Sequence, residues 1–279
     1  MEWIVAFDSG ADLRNIDTPN NIHFGIAPLK IVIGDNSVSD DGGTSLEEMQ
    51  IMLDGEKKKT GSACPSVEDW RVLMEKGDAV IAITISKEVS GSFQSALIAK
   101  DMILESHPDK KIFVLNSMSG SGSMSFLVRK AVKLIKEGKD FKEVCCELET
   151  ASKRSKTFFM IQNVDNLITN GRINPIVGRA IKTLKLCLLA TVSEKGDLEV
   201  VSKIRNFEKA MDGCIDELAK RGYECKKFII SHCLNPKGAE EFKNKLLKKY
   251  PDAEIEVMET SLLCGYYVEK GGIIASVEA

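Results

Sequence analysis

One segment limits the possible folds of this chain more than any other. Residues Ala79–Ser86 (AVIAITIS) are almost all apolar and rich in β-branched side chains. Such a run is typical of a strand buried on both faces, as in parallel sheets covered by helices. Apolar runs at Trp3–Phe7 and Ile112–Leu115 have the same character, and helical patterns separate the three. The first half of the sequence therefore predicts an α/β fold with a mostly parallel sheet.

The helices of this half carry recognisable start signals. The stretch Thr44-Ser45-Leu46-Glu47 fits a capping box that opens a helix over about residues 45–53. Ser66 begins a second helix, which ends near Lys76. Further helices are predicted at about 91–105, 119–137 and 140–152. The stretch Ile22–Ile33 is extended but interrupted by Pro28.

The second half has a different pattern. Leu186–Val192 and Leu198–Ile204 flank a Gly-Asp turn at Gly196, which predicts a β-hairpin. Other strands are predicted at 157–162, 227–231, 254–258 and 272–277, and helices at 164–168, 207–221 and 239–250. A hairpin among helices favours an α+β domain with a mixed sheet. We therefore predict an N-terminal α/β domain at residues 1–151 and a C-terminal α+β domain at 152–279.

Composition excludes several functional classes. The chain has 38 Lys+Arg against 41 Asp+Glu, a net charge of −3, so general nucleic-acid binding is not expected. The 8 cysteines form no C-x-x-C pair and only 3 histidines are present, so no metal site is expected. Neither a basic leader nor a membrane-length apolar run is evident. We expect a cytoplasmic protein without stable membrane insertion.

Small polar residues follow each of the three predicted parallel strands. They are Asp8-Ser9-Gly10, the stretch from Ser86 to Ser92, and Asn116-Ser117. Ligands of such sheets usually bind beyond the carboxyl ends of the strands. Ser90-Gly91-Ser92 also precedes a helix, whose free N–H groups and dipole favour an anion. The alternative for these residues is structural, with Ser90 as an ordinary N-cap and Gly91 in a turn.

Two residues outside these strand ends are further candidates. Ser62, before the second helix, has no necessary structural role and is a candidate ligand contact. Arg172, just after Asn170-Gly171, could bind a carboxylate or phosphate, or be an ordinary surface arginine. The sequence contains no G-x-S-x-G elbow, no Walker A motif, and no G-x-G-x-x-G after a strand. Nucleophilic catalysis is therefore not indicated.

These motifs, taken in order, resemble those of the DegV family of bacterial fatty-acid-binding proteins. The matching stretches are Phe7–Leu13, Pro28-Leu29, Gly34-Asp35, Ser62–Ser66, Val89–Ala96, Asn116-Ser117, Asn170–Asn174 and Lys203–Arg205. The resemblance covers essentially the whole chain. It implies the EDD-like fold of that family, with a long-chain fatty acid between the two domains and no cofactor. It also implies a lipid-binding protein that is not an enzyme and that presents its ligand to a separate ATP-dependent fatty acid kinase subunit.

The resemblance also implies roles for single residues. Ser62 and Ser90 would hydrogen-bond the carboxylate, together with Ser92. The residues expected nearby are Asp8, Ser9, Ala63, Gly91 and Asn116. Arg172 and Arg205 would contact the partner or its phosphate.

The C-terminal motif departs from the family. The stretch Gly265–Gly272 stands where the family has Gly-x-His-x-Gly-Pro-Gly, and Tyr267 replaces the histidine. A phenol can still donate a hydrogen bond to a carboxylate, so Tyr267 joins the predicted site. The departure keeps two alternatives open: an enzyme acting on a small acyl or anionic substrate, and a partner-binding module regulated by lipid.

Overall fold

The computed structural model describes residues 1–154 and 156–278, whose strands form three sheets. The strands are β1 Trp3–Asp8, β2 Ile22–Ala27, β3 Lys30–Ile33, β4 Asn36–Ser39, β5 Thr60–Ala63, β6 Ala79–Thr84, β7 Lys111–Asn116, β8 Lys156–Ile161, β9 Cys187–Val192, β10 Leu198–Ile204, β11 Lys227–His232, β12 Glu254–Glu259 and β13 Ile273–Glu278. The helices are α1 Leu46–Gly55, α2 Val67–Met74, α3 Ser92–Ser106, α4 Ser121–Lys136, α5 Phe141–Ser152, α6 Asp165–Thr169, α7 Pro175–Thr183, α8 Phe207–Lys220, α9 Pro236–Lys249 and α10 Leu262–Val268.

The N-terminal sheet confirms the predicted parallel arrangement. Its strand order is β2-β1-β6-β7, and every neighbouring pair is parallel. Strands β1 and β6 are buried at every position, which explains why they are continuously apolar in sequence. Because the strands are parallel, the carboxyl ends of β1, β6 and β7 meet at one edge of the sheet.

The C-terminal sheet confirms the predicted mixed architecture. Its order is β10-β9-β8-β13-β11-β12, with β11 and β12 parallel and the other neighbours antiparallel. The predicted hairpin is β9–β10. One apolar core joins residues of both halves of the chain, such as Phe7 and Ile83 with Ile161 and Tyr266. The domain boundary near residue 152 stays a prediction.

A small third sheet, with the order β4-β3-β5, was not predicted. Both of its pairings are antiparallel. The extended stretch Ile22–Ile33 divides around Pro28, so that β2 joins the parallel sheet and β3 the small one. Strand β5 consists of Thr-Gly-Ser-Ala, a composition without strong strand propensity. Ser62, predicted only to precede the second helix, therefore lies on a strand.

Two details of the helices differ from the sequence predictions. The capping box of α1 is one residue later than expected, because Ser45 and Glu48 exchange the two hydrogen bonds. Helices α7 and α10 were not predicted. Helix α10 packs tightly on the N-terminal half, since a Cβ added at Gly265 would lie 2.5 Å from Leu46 Cδ2. This contact brings a C-terminal segment against residues of the first half.

Candidate functional site

A cavity of about 380 Å³ lies between the two halves of the chain, within the size range of small-molecule sites. Most of its lining is apolar. The apolar side chains come from both halves and are Leu29, Ile85, Val89, Phe159, Ile161, Leu167, Val192, Leu198, Leu263, Val268 and Ile274. The cavity can therefore remove a long hydrocarbon chain from water, which is favourable in proportion to the area buried.

Hydroxyl groups from distant segments meet in the same lining. Ser62 on β5 and Tyr267 on α10 both line the cavity, and their hydroxyl oxygens are 2.8 Å apart. Ser90, Gly91 and Ala63 also line it. The structure thus brings together five of the residues that the sequence placed at or near a carboxylate site. Their roles in binding stay predictions.

Ser90 does not have the helix-capping role that the structural alternative gave it. The N-cap of α3 is Gly91, and no side chain caps this helix. Ser90 Oγ accepts a hydrogen bond from the Ser92 amide at 3.3 Å. Among the described hydrogen bonds, the Ser90 hydroxyl proton has no acceptor, so it is available to a ligand.

Ser92 lies behind the cavity, where its hydroxyl donates to the Asp8 carboxylate at 2.5 Å. That carboxylate also accepts the amides of Ile85 at 2.9 Å and Gly10 at 3.1 Å. Burial raises the pKa of Asp8 to about 7, although the Ser92 hydroxyl and the two amides lower it. Neither Ser92 nor Asp8 lines the cavity. They link the end of β1 to the loop after β6.

Ser9 and Asn116 also hold loops and do not line the cavity. Ser9 Oγ accepts the Leu29 amide at 3.0 Å, which positions a lining residue. Asn116 Oδ1 accepts the amides of Lys87 at 3.2 Å and Met118 at 3.1 Å. The polar strand ends predicted from the sequence therefore do meet, but Ser9 and Asn116 hydrogen-bond to the backbone behind the cavity wall.

The two predicted arginines are both exposed, but they differ in their position relative to the cavity. Arg172 lines the cavity, and its guanidinium donates from Nε to the Val89 carbonyl and from Nη1 to the Asn170 carbonyl, both at 2.8 Å. Arg205 directly follows β10 and does not line the cavity. Only Arg172 is thus at the edge of the site.

Two buried carboxylates hold the start of α10. Asp12 accepts the Ser261 amide at 2.7 Å, and Asp40 accepts the first two amides of α10 at 3.0 and 3.1 Å. Arg14 pairs with Asp40. Burial raises the pKa of Asp12. Negative charge at a helix start satisfies its free N–H groups and complements its dipole. These contacts fix the helix that carries Tyr267, and no sequence motif indicated them.

The tip of the β9–β10 hairpin closes over the ends of the parallel strands. Gly196 lines the cavity and has φ +100°. A Cβ added there would lie 2.4 Å from Ser86 Oγ, so either the Ser86 side chain or the hairpin would have to shift. The glycine is required both by its backbone conformation and by this close approach.

The described residues that line the cavity include none of the three histidines. Within residues 1–154 and 156–278, no cluster of His, Cys, Asp and Glu side chains could hold a metal ion. All 8 cysteines are free thiols. In the same part of the chain, no helix is long and apolar enough to cross a membrane.

Comparison with known proteins gives consistent matches over the full length. The sequence model of the DegV family, described as uncharacterised proteins, matches residues 2–278. A DegV domain-containing protein of Streptococcus pyogenes serotype M1 is 36% identical over 279 residues, covering 100% of both chains.

Two solved structures are also similar. The Streptococcus pneumoniae fatty acid kinase (Fak) B3 protein loaded with linoleic acid superimposes with a TM-score of 0.96 at 33% identity, covering 100% of this chain and 99% of that one. A DegV family protein from Eubacterium eligens loaded with heptadecanoic acid gives a TM-score of 0.93 at 28% identity, covering 99% of each chain.

Proposed function

The chain belongs to the DegV family, and from this premise we propose that it is a non-enzymatic protein that binds a long-chain fatty acid. One observation carries the proposal: a largely apolar cavity of about 380 Å³ has hydroxyls of Ser62, Ser90 and Tyr267 in its wall. The two similar proteins from S. pneumoniae and E. eligens hold linoleic acid and heptadecanoic acid.

The two parts of the lining suit the two parts of a fatty acid. A buried carboxylate needs hydrogen-bond donors, because otherwise it protonates. Ser62, Ser90 and Tyr267 offer neutral donors for it. A sixteen-carbon tail contributes on the order of 10 kcal/mol before ordering costs, at about 0.8 kcal/mol per buried CH₂. Affinity then comes mainly from the tail, and orientation from the hydroxyls.

The proposal extends to a partner. The protein presents the carboxylate to a separate ATP-dependent kinase subunit, with Arg172 and Arg205 contacting that subunit or its phosphate. The exposure of both arginines and the kinase name of the S. pneumoniae protein support this role. The protein needs no cofactor of its own in this scheme. Its free thiols favour a reducing, cytoplasmic location.

The test of fatty acid binding is extraction followed by rebinding. Protein purified from its native host is denatured, and the extract is analysed by mass spectrometry for a stoichiometric acyl lipid. The lipid-free protein is then refolded, and its Tm is measured with palmitic acid and with palmitic acid methyl ester, which has the same tail without the free acid group. We expect a co-purified acid and a larger rise in Tm with the acid. Absence of any acyl lipid, together with an unchanged Tm, would overturn the proposal.

A further inference from the structure

Tyr266 lies at a junction of three chain segments behind the hydroxyls of the cavity. Its side chain is fully buried, at 0% exposure, and it does not line the cavity. Its hydroxyl oxygen is 2.8 Å from Thr60 Oγ1 on β5 and accepts a hydrogen bond from Asn170 Nδ2 at 3.0 Å. One phenol group therefore joins α10, β5 and the end of α6.

Each of these three segments carries a residue of the candidate site close to its contact with Tyr266. Ser62 is two residues after Thr60 on β5, and neighbours at that spacing lie on the same face of a strand. Arg172 is two residues after Asn170, and its Nη1 donates a hydrogen bond to the Asn170 carbonyl. Tyr267 follows Tyr266 directly, and the two rings pack edge to face with centroids 5.1 Å apart.

The surrounding contacts hold this junction in one arrangement. Asn166 Nδ2 donates to the Tyr266 carbonyl at 2.8 Å, and the Asn166 amide donates to Glu269 Oε1 at 3.0 Å. A Cβ added at Gly61, between Thr60 and Ser62, would lie 3.2 Å from Asn170 Oδ1. The segments are therefore in close contact at the level of the Tyr266 hydroxyl, and loss of that hydroxyl removes a hydrogen-bond partner from the half-buried side chains of Thr60 and Asn170.

We propose that Tyr266 is a positioning residue whose hydroxyl aligns Ser62 and Tyr267 for recognition of the carboxylate and holds Arg172 at the edge of the cavity. The inference rests on the proposed fatty acid binding and adds a residue that touches no ligand. Tyr266→Phe keeps the ring and its packing, but it removes the oxygen that joins the three segments. The segments then lose their mutual alignment, while the apolar lining for the tail is retained.

The test compares ligands with and without the acid group. The affinities of palmitic acid and palmitic acid methyl ester are measured by displacement of the fluorescent fatty acid cis-parinaric acid. We expect Tyr266→Phe to weaken palmitic acid binding about tenfold, as loss of one hydrogen bond of ordinary strength would, and to leave methyl ester binding within about twofold. Thr60→Val removes one of the two partners and gives a smaller change of the same kind. Tyr250 packs against a second apolar core, which includes Phe228 and Phe242 of the C-terminal half, and Tyr250→Phe is expected to leave both affinities unchanged.

A double variant separates positioning from general damage. In a Ser62→Ala/Tyr267→Phe background, Tyr266→Phe is expected to cost less than about twofold further in palmitic acid affinity, because the two carboxylate-binding hydroxyls that it aligns are gone. Equal loss for the acid and the ester, or no loss for either, would overturn the inference while fatty acid binding stands. If the unaltered protein binds no fatty acid, the proposed function fails and this inference fails with it.

Discussion

The hydroxyl oxygens of Ser62 and Tyr267 lie 2.8 Å apart, although the residues are 205 positions apart in the chain. One belongs to an edge strand of the small N-terminal sheet, and the other to the short helix α10 near the C-terminus. Their contact joins the two halves of the chain at the wall of the cavity. Tyr267, at the position where the resemblance to the family implies a histidine, therefore already makes a hydrogen bond to the neighbouring hydroxyl.

The first prediction concerns this pair. Tyr267→Phe and Ser62→Ala are each expected to weaken palmitic acid binding about tenfold, because each removes a donor to a charged group. The double variant should lose less than the product of the two effects, since the groups are in contact. Calorimetric titration measures all three, with Tyr250→Phe as the control. An unchanged affinity for Tyr267→Phe would remove Tyr267 from the site.

The second prediction concerns the anchoring of α10. Asp40→Ala leaves two amides of α10 and the Arg14 guanidinium without their buried partner. We expect the free energy of unfolding to fall by about 3 kcal/mol, the cost of breaking a buried charge pair. Urea unfolding measures it. The matched control is Asp35→Ala. The Asp35 carboxylate is 81% exposed and pairs with Lys58, so its loss should change the free energy of unfolding by no more than about 0.5 kcal/mol. Equal losses would contradict the anchoring role.

The third prediction concerns the hairpin tip. Gly196→Ala and Gly222→Ala both place a side chain at positive φ, but only the first has a neighbour within 4 Å. We expect Gly196→Ala to be the more destabilising by about 1–3 kcal/mol, because the new methyl overlaps Ser86 Oγ. It should also weaken palmitic acid binding, since Gly196 lines the cavity. Urea unfolding compares the stabilities of the two variants, and calorimetric titration with palmitic acid compares their affinities. A ligand affinity that is unchanged in Gly196→Ala would contradict a closing role for the hairpin.

The fourth prediction concerns pH. The pKa of buried Asp8 is raised from 3.8 to about 7 by desolvation, so between these values the native state holds a proton that the unfolded state has released. The stabilisation from Asp8 is therefore fully present below about pH 4 and is lost as the pH rises through about 7. Stability of the unaltered protein relative to Asp8→Asn should fall across this window and then level off. Urea unfolding of the unaltered protein and of Asp8→Asn at several pH values measures this difference in the free energy of unfolding. A difference that does not change with pH would contradict the raised pKa of Asp8.

Sequence reasoning found the parallel sheet because β1 and β6 are buried on both faces, which leaves a continuous apolar run in the sequence. It missed the small sheet because Thr60–Ala63 has no strand pattern of its own and is extended through its pairing with β3. It missed α10 because the helix is only 7 residues long and contains Gly265. Its placement depends on Asp40 and Asp12, which are 222 and 249 positions away from the amides that they bind.

The residues of the candidate site were likewise predicted only in part from the sequence. Ser62 and Ser90 were predicted from the polar stretches before α2 and α3, and Tyr267 from the resemblance to the family; all three line the cavity, and their roles in binding stay predictions. Ser92 and Asp8 belong to the same motifs, yet they bind each other behind the wall. A motif in the sequence does not distinguish a side chain that faces the ligand from one that supports the loop. Tyr266 stands at a position that the C-terminal motif leaves unspecified, and its proposed role depends on contacts with segments 206 and 96 positions away.

A crystal structure with bound palmitic acid tests the proposed binding site directly. We expect the carboxylate within about 3 Å of Ser62 Oγ and the Tyr267 phenol oxygen, with the tail against Ile161, Leu198 and Ile274 in the cavity between the two halves. A fatty acid bound elsewhere, or one in this cavity with its carboxylate away from Ser62 and Tyr267, would contradict it.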